Sequence, residues 1–116
     1  MNDQNEKDQQ EITVRDNPDK SRFDVLVGGR PAGFSVYQDF GEAPTQQRIF
    51  YHTVVFDAFE GRGLAGILTR TALDTSIQAG RRIVPVCPYV TRWLTTHHDF
   101  DDAIDAAGPE HLRSLG

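Results

Sequence analysis

Residues 48–66 read RIFYHTVVFDAFEGRGLAG, and this stretch decides the fold. Its first part, residues 48–56, is dense in aromatic and β-branched side chains, which is the composition of a strand. Its end is rich in glycine, and from residue 63 to residue 79 apolar side chains recur at helical spacing. The stretch therefore predicts a strand that turns through a glycine loop into the longest helix of the chain.

Before this stretch, short runs of alternating polar and apolar residues predict three further strands. The runs begin near Ile12, Phe23 and Ala32, and turn signals separate them at residues 17–20 and 28–29. Four strands in succession predict an antiparallel meander.

After the long helix, which is expected to end at Gly80, residues 83–86 form a short apolar run that predicts one more strand. Pro88 suits the first position of a second helix, expected to reach about residue 97, and a last helical turn is expected at 109–115. This order predicts an α+β fold, in which a mixed, mostly antiparallel sheet is flanked by helices.

The chain has 116 residues, enough for about one domain, and a formal net charge of -5. Residues 1–11 are polar and are expected to be a disordered lead, with the domain at 12–116. No apolar run approaches the roughly 20 residues of a membrane span, and the polar N-terminus does not have the pattern of a signal peptide. We therefore expect a cytoplasmic protein without membrane contacts.

Other features of the composition exclude further classes of function. Residues 21–98 carry eight basic and six acidic side chains, too sparse a positive charge for a face that binds nucleic acid. Cys87 is the single cysteine, which excludes an internal disulfide framework and a multi-cysteine zinc site. The adjacent residues His97, His98 and Asp99 do not converge well on a metal, so no metal site is expected. A monomer is the default expectation.

The glycine loop has the character of an anion site. It comprises Glu60, Gly61, Arg62, Gly63, Leu64, Ala65 and Gly66. Glycines allow a tight turn whose N–H groups point into one concavity, and the following helix adds the positive end of its dipole. The loop lacks the lysine and spacing of a nucleoside-triphosphate P-loop, and its dinucleotide fingerprint is incomplete. It is therefore interpreted as a site for another phosphate-bearing cofactor or, alternatively, as an ordinary strand-to-helix turn.

Cys87 lies where the predicted strand at 83–86 becomes a helix. A thiol at a helix N-terminus meets N–H groups that favour the thiolate, so Cys87 is a candidate reactive group. The alternative is a buried cysteine that packs as a small hydrophobic residue. Pro85 cannot donate to a sheet ladder, so its strand is expected at an edge or splayed from its neighbour, where exposed backbone groups can pair with a ligand.

His52 lies within the predicted strand at 48–56. Strict alternation places it on one face with Phe50, Val54 and Phe56. An imidazole can act as a base near neutral pH, so His52 is a candidate catalyst. The alternative is a core histidine packed among apolar side chains.

Together these features resemble the GNAT acetyltransferase superfamily. Its motif at a strand-to-helix junction is Gln/Arg-x-x-Gly-x-Gly/Ala, which binds the pyrophosphate of acetyl-CoA. Gly63 and Ala65 match this motif, whereas Glu60 stands at its first position. An acid beside a pyrophosphate is unfavourable, and Arg62 is the residue that can compensate.

The chain is most similar to the minimal, single-domain YidJ-type branch of that superfamily. The branch combines a His-Thr strand, the glycine loop and a Val-Pro-x-Cys-Pro-[Phe/Tyr]-Val segment. This chain has His52-Thr53, then the loop, then VPVCPYV at 84–90. The similarity covers about residues 21–100, and the missing early helices of larger GNAT enzymes imply an open, shallow amine site.

The resemblance implies transfer of an acetyl group from acetyl-CoA to a primary amine of a protein, peptide or small molecule. Pantetheine would lie between the strands at 48–56 and 83–86, with N–H groups near Val55 and Phe56 polarising the thioester carbonyl. His52 or water would deprotonate the amine. Cys87 or Tyr89 would protonate the departing CoA thiolate, and Cys87 is the suspected catalytic residue of the branch.

Two other functions remain open at this stage. The chain could bind CoA without chemistry and act through protein contacts, which Glu60 and the truncated amine site favour. It could also be a plain structural domain, which would make the VPVCPYV string a coincidence. Release of CoA thiol in the presence of amines distinguishes an enzyme from a binding module.

Overall fold

The computed structural model describes residues 11–116, which form five strands and three α-helices. The strands are β1 Ile12–Asn17, β2 Arg22–Val27, β3 Arg30–Phe40, β4 Gln47–Val55 and β5 Arg82–Pro85. The helices are α1 Leu64–Gln78, α2 Pro88–Trp93 and α3 Pro109–Ser114. Short 3-10 turns occur at Pro18–Lys20, Asp57–Phe59 and Asp101–Ala103. The lead expected at residues 1–11 lies outside the described residues, except for Glu11.

The strands form one mixed sheet in the order β1-β2-β3-β4-β5. The first four pair antiparallel as the predicted meander, and β5 lies parallel to β4 because α1 crosses between them. The predicted α+β fold with a mostly antiparallel sheet is therefore confirmed. Strand β3 is longer than its apolar run indicated, because Gln38 and Asp39 continue the ladder opposite Ile49 and Arg48 of β4.

Helix α1 covers one face of the sheet, which we call the helix face. Leu68, Ala72 and Leu73 of α1 are fully buried and pack with Phe23 and Phe50 of the sheet. Burying an aliphatic side chain of this size contributes roughly 1.5–3 kcal/mol, so this contact holds α1 firmly against the strands.

A β-bulge in β4 changes which side chains share a face. Val36 of β3 lies opposite His52, but the next residue, Tyr37, lies opposite Phe50, so Tyr51 is an extra residue in β4. Phe50 packs in the core on the helix face, whereas His52 is exposed on the other face of the sheet, which we call the outer face. The expectation that His52 shares a face with Phe50 is therefore wrong, because strict alternation does not continue through a bulge.

Strands β4 and β5 separate beyond Pro85, as its lack of an N–H predicted. The pairing of β4 with β5 ends at Phe50 and Pro85. The N–H groups of Val86 and Cys87 both donate to the carbonyl of Phe50, each at 2.9 Å, and the chain then turns into α2. Past this point β4 continues without β5 beside it, which opens a gap in the sheet.

An ion pair between the buried Arg48 and the more exposed Asp39 supports the other end of β4. The Arg48 guanidinium donates to the Asp39 carboxylate at 2.8 Å and to Ser76 Oγ at 3.2 Å, and it lies 3.9 Å from the centre of the Tyr37 ring. Burial acts to raise the pKa of Asp39, but the hydrogen bond and charge of Arg48, with the charge of Arg81, outweigh it and lower that pKa.

The C-terminal segment closes the edge of β5. Ile104 forms a parallel bridge with Ile83, and Arg82 donates to Asp105 at 2.8 Å. Helix α2 ends at Trp93, earlier than expected, because the following Thr and His side chains hydrogen-bond to backbone carbonyls of its last turn. Within residues 11–116 no helix has the length and apolar character needed to cross a membrane.

Candidate active site

A cleft of about 400 Å³ lies between the glycine loop, the end of β4 and the start of α2. Seven residues predicted to bind a cofactor line it: Val55, Glu60, Gly61, Gly63, Leu64, Ala65 and Gly66. Phe59 and Tyr89 complete its walls. The fold therefore brings the predicted loop and one candidate catalytic residue, Tyr89, to the same cavity.

The N-terminus of α1 opens into this cleft. Gly63 precedes the helix with φ 73°, and Gly61 has φ 82°, a left-handed conformation that favours glycine at both positions. No side chain caps the helix, and its first turn contains no acidic residue. The first N–H groups of a helix have no acceptor within it, so these donors and the positive dipole end are available to an anion in the cleft.

Gly66 allows α1 and α2 to approach each other at the wall of the cleft. A Cβ at this position would lie 3.6 Å from both Tyr89 Oη and Trp93 Nε1. The phenol of Tyr89 is thereby held beside the first turn of α1.

Only one of the two backbone amides predicted to polarise a carbonyl is available. The Phe56 N–H donates to the carbonyl of Ala32 at 2.8 Å, so it does not serve a ligand, which corrects the expectation for this residue. Hydrogen-bonding directions alternate along an antiparallel strand, so the N–H of Val55 points the other way, into the gap between β4 and β5.

Cys87 is joined to two hydroxyl groups beneath this gap. Its thiol donates to Thr53 Oγ1 at 3.3 Å, and Thr53 Oγ1 is 3.2 Å from Ser35 Oγ. Cys87 is 3% exposed and Ser35 is 1% exposed, so both ends of this chain of polar groups are shielded from water. These contacts fix the thiol, because buried polar groups are held by the hydrogen bonds that satisfy them.

Sequence reasoning missed Thr53 and Ser35, since strict alternation from Phe50 puts Thr53 on the outer face. The bulge moves Thr53 to the helix face, where it meets Cys87. The signal in the sequence is Ser35 itself, a polar residue within the mostly apolar run from Ala32 to Tyr37.

Tyr89 is suited to donate a proton. Burial raises its pKa, the nearby Cys87 raises it further, and the charge of Arg92 acts in the opposite direction. The phenol therefore stays protonated at neutral pH and can act as a hydrogen-bond donor or an acid in the cleft.

His52 stands apart from this group. It is exposed on the outer face, where its ring lies 6.4 Å from that of Phe34, whereas Thr53 and Cys87 lie on the helix face. The backbone of β4 therefore separates the imidazole from the thiol.

A second groove, of about 280 Å³, continues from the cleft and shares Gly63 and Gly66 with it. It is bordered by Trp93, whose ring stacks on His97 at 3.9 Å, and by Arg70, which pairs with Asp99 at 3.2 Å. Aromatic and guanidinium planes of this kind suit a nucleobase and a phosphate. Across residues 11–116 no group of three His, Cys, Asp or Glu side chains is placed to hold a metal ion.

The comparison with protein families agrees with this geometry. Residues 22–103 match the model of the GCN5-related N-acetyl-transferase family, and this range covers strands β2 to β5, the glycine loop and Cys87. The chain therefore belongs to the GCN5-related N-acetyltransferases, a family whose enzymes use acetyl-CoA. No curated protein matches the sequence significantly.

One solved structure has the same fold, and two others are similar to this chain at lower TM-scores. The NMR structure of a GCN5-like protein from Staphylococcus aureus is 16% identical and has a TM-score of 0.58, with 89% of this chain and 95% of that chain covered. A ribosomal-protein-alanine N-acetyltransferase from Brucella melitensis is 19% identical with a TM-score of 0.49, and an integron cassette protein of V. cholerae is 13% identical with a TM-score of 0.48. Each of these two matches covers 82% of this chain. The chain spans 57% of the length of the Brucella protein and 48% of the length of the V. cholerae protein.

Proposed function

We propose that the protein is an acetyl-CoA-dependent N-acetyltransferase that moves an acetyl group to a primary amine. The observation that carries the proposal is the uncapped N-terminus of α1, which has no acid in its first turn and opens into a cleft of about 400 Å³. Such a helix end is a binding site for a phosphate group. The cleft meets the gap between β4 and β5 at Val55, so one extended ligand can occupy both.

The residues present fit this cofactor. The N–H groups of the glycine loop and of the first turn of α1 would hold the pyrophosphate. The open edge of β4 at Thr53 and Val55 would pair with pantetheine amides, as strands pair with extended ligands. The groove at Trp93 and Arg70 would receive the nucleotide end.

Acetyl-CoA supplies the activated acetyl group, and the protein supplies donors and a base. The Val55 N–H would polarise the thioester carbonyl, as an oxyanion-hole donor does. As the amine nitrogen bonds to the carbonyl carbon and the carbon–sulfur bond breaks, Tyr89 or Cys87 would give a proton to the departing sulfur. His52, or water, would take the proton that the amine loses, with the acceptor entering from the outer face through the gap.

The same residues support assignment to the minimal, single-domain branch. The hydrogen bond between Cys87 and Thr53 joins the two segments that carry the branch signature, His52-Thr53 and the VPVCPYV string. The outer face beside His52 carries partly exposed aromatic residues, in keeping with an open amine site.

The experiment is an assay of CoA thiol release from acetyl-CoA with polyamines, lysine peptides and peptides with a free N-terminus. We expect thiol release that depends on an amine and saturates with acetyl-CoA. Mass spectrometry of the amine should show the acetyl group. Saturable binding of acetyl-CoA without amine-dependent release would contradict catalysis and favour a CoA-binding module, whereas absence of binding would reject both.

A further inference from the structure

Two arginine side chains meet on one aromatic ring at the mouth of the cleft. The guanidinium carbon of Arg62 lies 5.4 Å from the centre of the Phe59 ring, and that of Arg30 lies 5.2 Å from the same centre. Phe59 lines the cleft and is 6% exposed. Both positive groups therefore lie against the ring of one residue that lines the cleft, although they are 32 positions apart in the sequence.

The backbone fixes the approach of Arg30 to the loop. Arg30 follows the two-residue turn between β2 and β3, where it pairs with Val27. The segment after β4 is tied to β3 by the hydrogen bond from the Phe56 N–H to the Ala32 carbonyl. At Gly33 the strands fit so closely that a Cβ would clash with the Val54 carbonyl oxygen. The start of β3 is thus held beside the segment that follows β4.

The segment that contains Phe59 and Arg62 also contains two acidic residues. Glu60 lines the cleft and Asp57 lies three residues before it, so the loop carries two acids beside the two arginines. Five other arginines form ion pairs with aspartates: Arg22, Arg48, Arg70, Arg81 and Arg82. Among the described residues neither Arg30 nor Arg62 has an acidic partner within 4.0 Å, so both guanidinium groups are available for a ligand.

We propose that Arg30 and Arg62 together bind a phosphate group of CoA at the mouth of the cleft. Arg30 is then a cofactor-binding residue contributed by the β2–β3 hairpin, outside the glycine loop, and it offsets the negative charge of Glu60. The identity of the ligand rests on the proposed function. A guanidinium presents a planar fork of donors that matches phosphate oxygens, which an ammonium group does not.

Isothermal titration with CoA tests this assignment, using the wild type, Arg30→Gln and Arg15→Gln. Arg15 is an exposed arginine on β1, so the control removes the same charge from a different part of the surface. We expect Arg30→Gln to weaken CoA binding by about five- to tenfold, as for loss of a charge-assisted hydrogen bond at a partly solvated site, and Arg15→Gln to change it less than about twofold. Arg30→Lys should restore only part of the affinity.

Pantetheine, which lacks phosphate groups, separates this effect from a change in the cleft itself. Arg30→Gln should bind pantetheine as the wild type does. Equal CoA affinities for Arg30→Gln and Arg15→Gln, with a wild type that binds CoA, would overturn the role of Arg30 and leave the proposed function standing. An equal loss for CoA and pantetheine would also overturn it, since the residue would then shape the cleft rather than contact phosphate. A wild type that does not bind CoA would overturn both proposals.

Discussion

Ala65 offers a pair of variants that separates the stability of α1 from its function as an anion site. It lies in the first turn of α1 and lines the cleft, so a longer side chain at this position extends into the cavity. Ala65→Glu and Ala65→Gln add nearly the same volume and differ by one negative charge. A carboxylate in the first turn favours the helix, because it complements the dipole, but it opposes a phosphate at the same place. The two effects of the charge therefore have opposite signs.

The expected magnitudes follow from Coulomb's law. A carboxylate about 6 Å from each charge of a pyrophosphate, at an effective dielectric constant of about 40–80, costs about 1.4–2.8 kcal/mol in binding. This corresponds to a CoA affinity about 10- to 100-fold weaker for Ala65→Glu than for Ala65→Gln. The same carboxylate should make the free protein about 0.3–1 kcal/mol more stable than the glutamine variant.

The assays are calorimetric titration with CoA and thermal unfolding without ligand, both at low salt and again at about 0.5 M salt, where screening should reduce the two differences. Ala65→Glu should melt higher than Ala65→Gln and bind CoA more weakly. If both variants bind CoA equally while the melting difference is present, no phosphate lies at this helix end, and the placement of the cofactor would be refuted.

Three further predictions concern named side chains. Tyr89→Phe should lower kcat about 10- to 100-fold with little change in the affinity for acetyl-CoA, because it removes a proton donor and keeps the ring. Steady-state kinetics and titration measure the two quantities, and a change in KM alone would contradict this role. Asp39→Asn should destabilise the fold by about 2–3 kcal/mol in urea unfolding, because Arg48 stays buried without its carboxylate partner. A loss of unfolding free energy below about 0.5 kcal/mol would count against a structural ion pair. Burial is the main reason that the pKa of Tyr37 is raised from 10.0 to about 12. The stability that this shift contributes is therefore present below pH 10 and lost as pH rises towards 12. Tyr37→Phe should lack this alkaline loss of stability, and a stability–pH profile unchanged from the wild type would contradict the assignment.

The sequence carried enough information to predict the order of the elements and the general place of the site. The change from alternating to helical spacing after Gly63 and the missing N–H of Pro85 are local signals, and the structure has a helix and a splayed sheet at those positions. The glycines around Arg62 predicted the loop in the same way. Local preferences of this kind, such as the missing N–H of proline, hold in any fold.

The faces of β4 could not be predicted, because one inserted residue reverses every side chain after it. The bulge opposite Val36 and Tyr37 moves His52 to the outer face and Thr53 to the helix face, and no turn residue marks it in the sequence. The availability of the Val55 and Phe56 amides depends on pairing with β3, which is also a property of the assembled sheet.

Contacts between distant segments were likewise out of reach of sequence patterns. Arg30 reaches Phe59 only because a hairpin tip and a loop meet at one end of the sheet. The Cys87 thiol contacts the hydroxyl group of Thr53, which in turn contacts that of Ser35, and the three residues come from separate segments of the chain. No motif marks these residues in the sequence, and their proposed roles depend on the neighbours that the fold places beside them.

The most direct test of the account is calorimetric titration of the unaltered protein with acetyl-CoA, since every proposed role depends on that ligand occupying the cleft at the start of α1. The account predicts saturable binding to one site per chain, with an affinity that falls as salt is raised because phosphate charge contributes to it. No heat of binding at about millimolar acetyl-CoA, a concentration at which even a weak site of about −4.1 kcal/mol is half filled, would contradict it.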